Sequence, residues 1–390
     1  QNTTISQAAS GRRVLAEFSS SLHAIDTDSS LTSSFVQCVH TALIQGFEKL
    51  YKDKIECKVV NGFTFGGAEF IAAERLYNTC VKYFPNLWNR IFRFSFKNKD
   101  FLNKNNSFNI KRRFLKIIKE YNPDLIINVH PLFSGSLLNI IEKKKLNIKF
   151  FIIITDLITI TKIWFDNRAD RIISPSKEAT EYMIKNGIDR EKIETFGLPV
   201  REGFNPKINS KEKIRENTNI NGKLKILILN NSEKNKRLIY IIKNLYSKFN
   251  CEVTLICGRN KNTFNKLTSF FSSKSYAPKI IGYTQEIPKL FSENDILITR
   301  AGPTAIIEAV NCLIPVISMG ALPGQEEENP IYLQQNGLGY SADSTDDIFN
   351  KIELLLENNR ENLVKMRENQ FDYYGRDVRE KIVDYIAEKL

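Results

Sequence analysis

The residues best suited to chemistry lie between positions 296 and 308. Ile296 to Thr299 is a short apolar run, which predicts a buried parallel strand. Gly302 lets the backbone approach a ligand closely, and Pro303, with no N–H and a preset φ, suits the first turn of a helix. The free N–H groups near Thr304 would face the mouth of the sheet, where parallel α/β proteins bind phosphate. This stretch therefore predicts a phosphate site at a helix N terminus.

Two further groups fit the remaining parts of a nucleotide sugar. Glu308 lies about one turn into the predicted helix, where a carboxylate can accept two ribose hydroxyls. After the next predicted strand, Ile314–Met319, the loop Pro323–Glu326 carries hydrogen-bonding groups suited to a sugar. A Gly-Pro pair before a helix is also common in strand-to-helix connections that bind no ligand, so each block alone is a weak signal. The prediction of a nucleotide-sugar site rests on the order of the blocks within residues 295–340.

These blocks resemble the donor-binding half of GT-B glycosyltransferases that use UDP-sugars. The resemblance rests on Ala301-Gly-Pro-x-x-x-x-Glu-Ala309, Pro323-Gly-Gln-Glu-x-x-Asn329 and Asn336-Gly-x-Gly339. The pattern is similar to that of monogalactosyldiacylglycerol synthases and processive diacylglycerol glucosyltransferases, relatives of the lipid II N-acetylglucosaminyltransferase. It covers about residues 42–390. The resemblance implies an α/β chain of GT-B architecture, with two Rossmann-like domains facing across a cleft.

The resemblance also implies a set of UDP-sugar-binding residues. Cys257-Gly258-Arg259-Asn260 matches a family motif, and the loop at Gly282 and Tyr283 resembles the uracil clamp. Glu308 would bind the ribose, and the Gln325 and Glu326 side chains would hold sugar hydroxyls. The full predicted set is Gly258, Arg259, Gly282, Tyr283, Gly302, Pro303, Thr304, Glu308, Gln325, Glu326 and Asn329.

The length of the chain predicts more than one domain. A chain of 390 residues exceeds one ordinary core, and a Gly- and Pro-containing stretch at 196–206 separates two series of strands and helices. We place an acceptor-binding, membrane-associating domain at 41–199 and a UDP-sugar-binding domain at 200–365. Residues 366–390 are predicted to form a C-terminal helix that returns toward the first domain, as GT-B proteins do.

Residues 1–40 form an atypical segment that is rich in Ser and Thr. It shows no signal-peptide pattern and begins with Gln, which suggests a processed, tagged or misassembled start. In the resembling family this region holds a glycine-rich loop ending in Gly-His, on the acceptor side of the active site. Ser20–His23 and Gln37–His40 are the nearest sequences here. His130 and Asp156, each following a predicted strand, are therefore the candidate catalytic residues, with a structural role in their loops as the alternative.

Composition argues against several kinds of site. No run of 18 apolar residues is present, so no transmembrane helix is expected. The six cysteines lack metal-binding spacing and are predicted to be reduced thiols, and three histidines leave little material for a histidine metal site. We therefore expect no metal and no cofactor beyond the UDP-sugar, which is a co-substrate.

The positive charge is concentrated in one segment. The formal net charge is +12, yet residues 75–119 alone hold twelve basic residues and a single acid, Asp100. Aromatic residues accompany them, which predicts an amphipathic surface for an anionic membrane; a helix pair with an apolar core face is the alternative. No nucleic-acid-binding motif accompanies the patch, so no nucleic-acid partner is expected. The predicted membrane and acceptor contacts are Trp88, Phe92, Lys111, Arg112 and Arg113.

The resemblance implies an inverting hexosyltransferase. Such an enzyme would move galactose or glucose from UDP-galactose or UDP-glucose to diacylglycerol or a similar lipid acceptor. It would act as a peripheral protein on the cytoplasmic face of the membrane. A transferase for an undecaprenyl-linked acceptor and a catalytically inactive binding module are the alternatives, the second because the Gly-His loop is missing.

Overall fold

The structure, a computed structural model, describes residues 11–18, 33–63, 67–204, 208–218, 221–230, 233–373 and 377–390. These residues contain two parallel six-stranded sheets, each accompanied by helices. The sheets share no strand, so the described chain has two α/β halves. The predicted fold class, two Rossmann-like domains, is confirmed.

The first sheet has the strand order β2-β1-β3-β4-β5-β6. Its strands are Arg12–Phe18 (β1), Ile55–Asn61 (β2), Leu125–Asn128 (β3), Lys149–Ile153 (β4), Arg171–Ser174 (β5) and Ile193–Thr195 (β6). All four residues of β3 are buried, as expected of a parallel strand covered on both faces. Parallel strands end at the same edge of a sheet, and β3 pairs with β4. The loops that hold His130 and Asp156 therefore follow neighbouring strands.

The helices of the first half include a long insertion between β2 and β3. They are Ser33–Tyr51 (α1), Ala68–Tyr83 (α2), Pro85–Lys97 (α3), Lys99–Tyr121 (α4), Ser134–Lys144 (α5) and Lys177–Lys185 (α6). Single residues, Phe84 and Asn98, separate α2 from α3 and α3 from α4. Pro85 opens α3, where a missing N–H costs nothing. The basic segment 75–119 therefore lies on α2, α3 and α4.

The second sheet has the strand order β12-β11-β10-β7-β8-β9. Its strands are Leu224–Leu229 (β7), Cys251–Ile256 (β8), Lys279–Ile281 (β9), Ile296–Thr299 (β10), Val316–Ser318 (β11) and Gly339–Ser341 (β12). β10 begins and ends where the sequence predicts, and it is buried throughout. The order of strands reverses between β7 and β10, which pair with each other. In open parallel sheets the crevice at such a reversal is the usual ligand site.

The helices of the second half connect these strands and close the chain. They are Lys211–Asn217 (α7), Asn235–Lys248 (α8), Lys261–Phe271 (α9), Ile287–Ser292 (α10), Pro303–Asn311 (α11), Asn329–Gln335 (α12), Asp347–Tyr373 (α13) and Val378–Lys389 (α14). The backbone of α13 is not helical at Glu357–Arg360, where the helix is interrupted. The helix α11 follows β10 and starts at Pro303, as predicted from Gly302 and Pro303.

The last helix, α14, contacts the first half of the chain. Lys49 of α1 forms an ion pair with Glu380 at 3.1 Å, and Val383 lies against Gly46 of α1. Gln370 of α13 instead donates to the Ile314 carbonyl of the second half at 3.0 Å. The helix α14, which begins at Val378, thus makes the contacts with the first half, and the predicted start of the C-terminal segment at residue 366 stays a prediction. The other predicted domain limits stay predictions.

Candidate active site

The N terminus of α11 presents unpaired backbone N–H groups beside the strand reversal. Gly302 occupies the N-cap position in an extended conformation, Pro303 is the first helical residue, and no side chain caps the helix. The first N–H groups of a helix have no partner within it, and they carry the positive end of its dipole. The Gly302 N–H donates to the Arg300 carbonyl at 2.7 Å and Pro303 has no N–H, so Thr304 is the first residue whose N–H can face an anion such as a diphosphate.

Glu308 lies in the same helix and is 5% exposed. Arg201, from the linker between the halves, donates to Glu308 Oε1 through Nη2 at 2.7 Å and through Nε at 3.2 Å. Burial raises the pKa of Glu308, while Arg201 and a hydrogen bond with the Cys38 thiol of α1 oppose the rise. Glu308 is predicted from the sequence, whereas Arg201 is not. The only signal for Arg201 was its position in the predicted hinge.

Gln325 connects the two halves of the chain. Its Nε2 donates to Asp156 Oδ1 at 3.0 Å, and its Oε1 accepts from the Tyr77 hydroxyl of α2 at 3.4 Å. The donor loop, residues 321–328, also packs on α3, because a Cβ added to Gly324 would lie 3.0 Å from Phe92 Cδ1. The predicted sugar-binding loop therefore contacts the first half directly. Tyr77 and its contact with this loop were not predicted.

Glu326 and Asn329 brace the backbone around the donor loop. Arg300 Nη2 donates to Glu326 Oε1 at 3.2 Å, and the Leu322 N–H donates to Glu326 Oε2 at 2.8 Å. Asn329 Nδ2 donates to the Ala301 carbonyl, just before α11, at 2.9 Å. Both oxygens of Glu326 thus have protein partners in this conformation. Arg300 was missed although it immediately precedes the predicted Ala301–Ala309 block.

The residues predicted to bind uracil lie on two adjacent loops of the second half. Gly258 has a φ of +57°, and the Cβ position of Gly282 lies 3.9 Å from the Gly258 carbonyl oxygen. The Arg259 guanidinium lies over the Tyr283 ring, 4.8 Å from its centroid. The Tyr283 ring is 60% exposed. The structure thus brings all four residues together beside an exposed aromatic surface, which is suited to a flat base.

Asp156 is a buried carboxylate held from both sides. Trp164 Nε1 donates to Oδ2 at 2.7 Å, and Gln325 Nε2 donates to Oδ1. Burial raises the pKa of Asp156 to about 6, against the lowering effect of these two hydrogen bonds. The group is therefore mostly ionised at neutral pH, yet it is more basic than an ordinary aspartate. A raised carboxylate pKa near the working pH is suited to a general base.

His130 has the properties of a neutral donor. Its Nδ1 accepts from the Leu132 N–H at 3.3 Å, which places the ring proton on Nε2 in the neutral imidazole. The ring packs against Phe63 and Phe133, with centroids 5.3 and 5.5 Å away. Burial lowers the pKa of His130 to about 3. His130 is thus a poor proton acceptor, and of the two candidates the geometry favours Asp156 as the base.

Comparison with known proteins identifies both halves. Residues 37–200 match the family profile described as monogalactosyldiacylglycerol (MGDG) synthase. Residues 224–378 match the glycosyltransferase family 28 C-terminal domain. The first half is thus similar to the MGDG synthases, and the second half to the C-terminal domain of glycosyltransferase family 28. The resemblance predicted from the three sequence blocks is therefore confirmed.

Curated relatives of this GT-B protein come from plants and bacteria. It is 33% identical over 263 residues to monogalactosyldiacylglycerol synthase 3 of Arabidopsis thaliana, covering 65% of this chain and 56% of the relative. It is 29% identical over 283 residues to a processive diacylglycerol beta-glucosyltransferase of Bacillus cytotoxicus, covering 72% of this chain and 71% of the relative. The match thus spans little more than half the length of the plant protein.

Solved structures show the same architecture at low identity. MurG of Acinetobacter baumannii aligns with a TM-score of 0.62 at 14% identity, covering 97% of this chain and 99% of that one. A UDP-GlcNAc 2-epimerase from Neisseria meningitidis, bound to UDP-GlcNAc, aligns with a TM-score of 0.61 at 16% identity, covering 97% and 100%. At these identities the likeness shows the fold alone, and the GT-B architecture is confirmed.

Three of the five predicted membrane and acceptor contacts of the GT-B protein lie against other parts of the protein. Trp88 lies edge-on against Tyr77, with ring centroids 4.3 Å apart. Phe92 is 7% exposed and contacts the donor loop at Gly324. Arg113 lies against Gly67, where an added Cβ would fall 2.3 Å from its Nη1. Phe92 therefore does not face lipid in this conformation, because this side of α3 is turned toward the second half.

Exposed aromatic rings instead lie along one face of α4. Phe101 is 68% exposed and Phe108 is 83% exposed. Lys104, Lys111 and Arg112 share this face, since helical spacings of three, four and seven residues return to one side. We call these five residues the α4 stripe. Rings interleaved with cations are typical of helices that lie at a membrane surface. The seven-residue spacing of the two phenylalanines is the sequence signal for this face, which was not predicted.

The remaining predicted groups contribute less to the site. Ser20–His23 lies outside the described residues, whereas Gln37–His40 falls within α1. Burial lowers the pKa of His40 to about 4. Across the described ranges, no group of three or more His, Cys, Asp or Glu side chains is placed to hold a metal ion. The expectation that neither metal nor cofactor is needed stays a prediction.

Proposed function

We propose that this chain transfers a hexose from a UDP-sugar to diacylglycerol or a similar membrane lipid. The observation that carries the proposal is the uncapped N terminus of α11 with Glu308 one turn further along. The two halves also match the MGDG synthase and family 28 profiles in that order. The relatives named above are a monogalactosyldiacylglycerol synthase and a diacylglycerol glucosyltransferase, which supports UDP-galactose or UDP-glucose as the donor.

Each part of the donor has a place on the second half. The diphosphate binds at the N–H groups near Thr304, and the ribose hydroxyls donate to Glu308. The uracil lies beside Gly258 and the exposed Tyr283 ring. The sugar then extends toward Gln325, which contacts Asp156 across the cleft. This arrangement directs the anomeric carbon toward the first half, where the acceptor must enter.

The reaction we propose is a direct displacement at the anomeric carbon. Asp156 takes the proton of the lipid hydroxyl while the oxygen of that hydroxyl forms a bond to the anomeric carbon. The bond from that carbon to the phosphate oxygen breaks, and UDP leaves with the electron pair. The N terminus of α11 stabilises the negative charge that develops on the leaving phosphate. One in-line attack inverts the configuration, and we propose that it needs no metal ion.

We further propose that the protein acts at an anionic membrane surface, as a peripheral protein on its cytoplasmic face. Among the described helices, none has the length and apolar character that crossing a membrane requires. The α4 stripe combines two exposed rings with three basic residues in the half that also holds Asp156. Next to it, α3 exposes Leu87, Ile91 and Phe94. These surfaces support contact with a bilayer that contains the lipid acceptor.

A radiolabelled transfer assay tests the proposed function. The protein is incubated with labelled UDP-galactose, UDP-glucose or UDP-N-acetylglucosamine and with vesicles that contain diacylglycerol, with and without a chelator. We expect a labelled glycolipid from one of the hexose donors, at the same rate in the chelator. Label on an undecaprenyl-linked acceptor only would change the acceptor assignment. Tight UDP binding without transfer to any acceptor would favour an inactive binding module.

Replacing Glu308 with Ala should weaken UDP binding by roughly 1–3 kcal/mol, because hydrogen bonds to a charged group are lost. Isothermal titration calorimetry measures this directly. Glu361→Ala, which removes an exposed carboxylate of the same half, serves as the control and should bind UDP normally. An unchanged UDP affinity in a folded Glu308→Ala protein would disprove the ribose assignment.

Replacing Gln325 with Ala should lower sugar transfer about tenfold or more and leave UDP affinity largely intact. Gln325 contacts Asp156 and, in the proposed arrangement, lies beside the donor sugar rather than the nucleotide. Glu326→Ala should also lower transfer, but with a loss of thermal stability, since it leaves Arg300 without its carboxylate. Steady-state kinetics, UDP calorimetry and thermal melting separate these effects. An equal loss of UDP and UDP-sugar binding in Gln325→Ala would contradict the sugar-binding role.

A further inference from the structure

Arg201 reaches the buried carboxylate of Glu308 from the linker that follows β6. Its Nη2 and Nε donate to the same oxygen, Oε1, at 2.7 and 3.2 Å. The Arg201 side chain is 33% exposed, whereas that of Glu308 is 7% exposed. Arg201 therefore uses one oxygen of the carboxylate and makes no bond with Oε2.

Contacts from both halves fix the linker around Arg201. The guanidinium lies over the Phe204 ring, 5.1 Å from its centroid, and Phe204 packs edge-on against Phe291 of α10. The backbone N–H of Glu202 donates to Gln45 Oε1 of α1 at 2.9 Å. The guanidinium is thus held in place by packing as well as by charge, which lowers the entropy lost when it orients Glu308.

The groups around Glu308 explain why Arg201 matters for its ionisation. The titratable groups facing it are the guanidinium of Arg201 from the linker, the thiol of Cys38 from α1 and the thiol of Cys312 beside α11. Burial raises the pKa of both thiols, so they stay neutral. The positive charge that offsets the burial of Glu308 therefore comes from Arg201.

We propose that Arg201 is a positioning residue for the nucleotide, which holds Glu308 as an oriented carboxylate able to accept both ribose hydroxyls. The proposal rests on the proposed function, in which Glu308 binds the ribose. A carboxylate offers acceptors on both oxygens, whereas a protonated acid turns one oxygen into a donor. Loss of the guanidinium should therefore weaken contacts with the ribose and spare those with the uracil and the diphosphate.

The preference for UDP over 2′-deoxy-UDP measures this effect. Calorimetry gives the dissociation constants of both nucleotides between pH 6 and 8.5. Phosphate protonation affects both nucleotides equally and cancels in their ratio. We expect the wild-type protein to prefer UDP by about tenfold or more, the value of one hydrogen bond to a charged group. In Arg201→Ala the preference should fall, most strongly at the low end of this pH range, and recover as the pH rises, because burial raises the pKa of Glu308 and Arg201 no longer opposes the rise.

Three further variants make the result specific. Arg215→Ala, which breaks an exposed ion pair with Glu361 in the same half, should keep the wild-type preference. Arg201→Lys keeps the charge and should show an intermediate preference for UDP. This variant tests the positioning role of Arg201 if Arg201→Ala does not fold. In a Glu308→Gln background, Arg201→Ala should not change the preference further, because the group it acts on is gone.

Two outcomes would overturn the proposal. One is an Arg201→Ala protein whose preference for UDP over 2′-deoxy-UDP equals that of the wild type at every pH. Even if its affinities for both nucleotides fell equally, Arg201 would then have a structural role only. The other is a wild-type protein that binds UDP and deoxy-UDP equally, which would remove the ribose contact itself. A wild-type protein that binds neither nucleotide would instead contradict the proposed function.

Discussion

Replacing Asp156 with Asn should lower the turnover number for sugar transfer by about 10²- to 10⁴-fold, the usual contribution of a general base. The amide has nearly the shape of the carboxylate but cannot take the proton of the lipid hydroxyl. UDP affinity should stay close to the wild-type value, because Asp156 lies in the first half and the nucleotide residues lie in the second. Transfer kinetics and UDP calorimetry on the same preparation measure both quantities.

The pH dependence of transfer follows from the ionisation of Asp156. Burial raises its pKa to about 6, and only the ionised form can accept a proton. Transfer by the wild-type protein should therefore fall as the pH decreases through about 6, by about tenfold per unit below that value. Trp164→Phe removes a hydrogen bond that favours the carboxylate, which raises the pKa of Asp156. The fall in transfer at low pH, the acidic limb of the pH profile, should therefore move to higher pH.

His130 provides the matched comparison. Its low pKa and its acceptor role at Nδ1 make it a donor rather than a base, so His130→Ala should leave the acidic limb in place. Should Asp156→Asn retain full transfer while His130→Ala abolishes it, the base assignment would be reversed. Near-normal transfer in both variants would mean that the base lies elsewhere in the chain.

Reversing the charge of Lys104, Lys111 and Arg112 to Glu should release the protein from anionic vesicles. Each basic residue near an anionic surface contributes on the order of 1 kcal/mol, so the loss of three amounts to about 3 kcal/mol, or roughly a hundredfold in affinity. Repulsion by the new carboxylates adds to the loss. Sedimentation with vesicles containing phosphatidylglycerol measures it, and binding by the wild-type protein should weaken as salt rises.

A matched variant tests whether position rather than net charge matters. Lys236, Lys243 and Lys266 are exposed on α8 and α9 of the second half, and reversing all three changes the net charge by the same amount. This variant should still pellet with anionic vesicles. Equal pelleting of the wild-type protein with neutral and anionic vesicles would refute the electrostatic contact. Phe101→Ala with Phe108→Ala then reports how much the rings add.

Strands and helices whose signals lie in neighbouring residues could be predicted from the sequence. The short run Ile296–Thr299, with three apolar residues before Thr299, predicts β10, and Gly302 and Pro303 predict the start of α11; the structure places both as expected. Neighbouring residues alone are enough to predict a short strand from an apolar run and the opening of a helix at proline. The order of such units along the chain indicates two parallel sheets. The fold class was therefore predictable without any knowledge of long-range contacts.

The pairing of distant side chains and their exposure to solvent depend instead on long-range packing. Arg201 and Glu308 lie 107 residues apart in the chain, and Gln325 and Asp156 lie 169 apart. No local pattern encodes such pairs, because they depend on how the two halves are placed across the cleft. Phe92 lies on α3, in the same basic segment as Phe108 of α4, yet one is 7% and the other 83% exposed. An aromatic residue on an amphipathic helix is buried only where another element covers it, and for Phe92 that element is a loop more than 200 residues further along the chain.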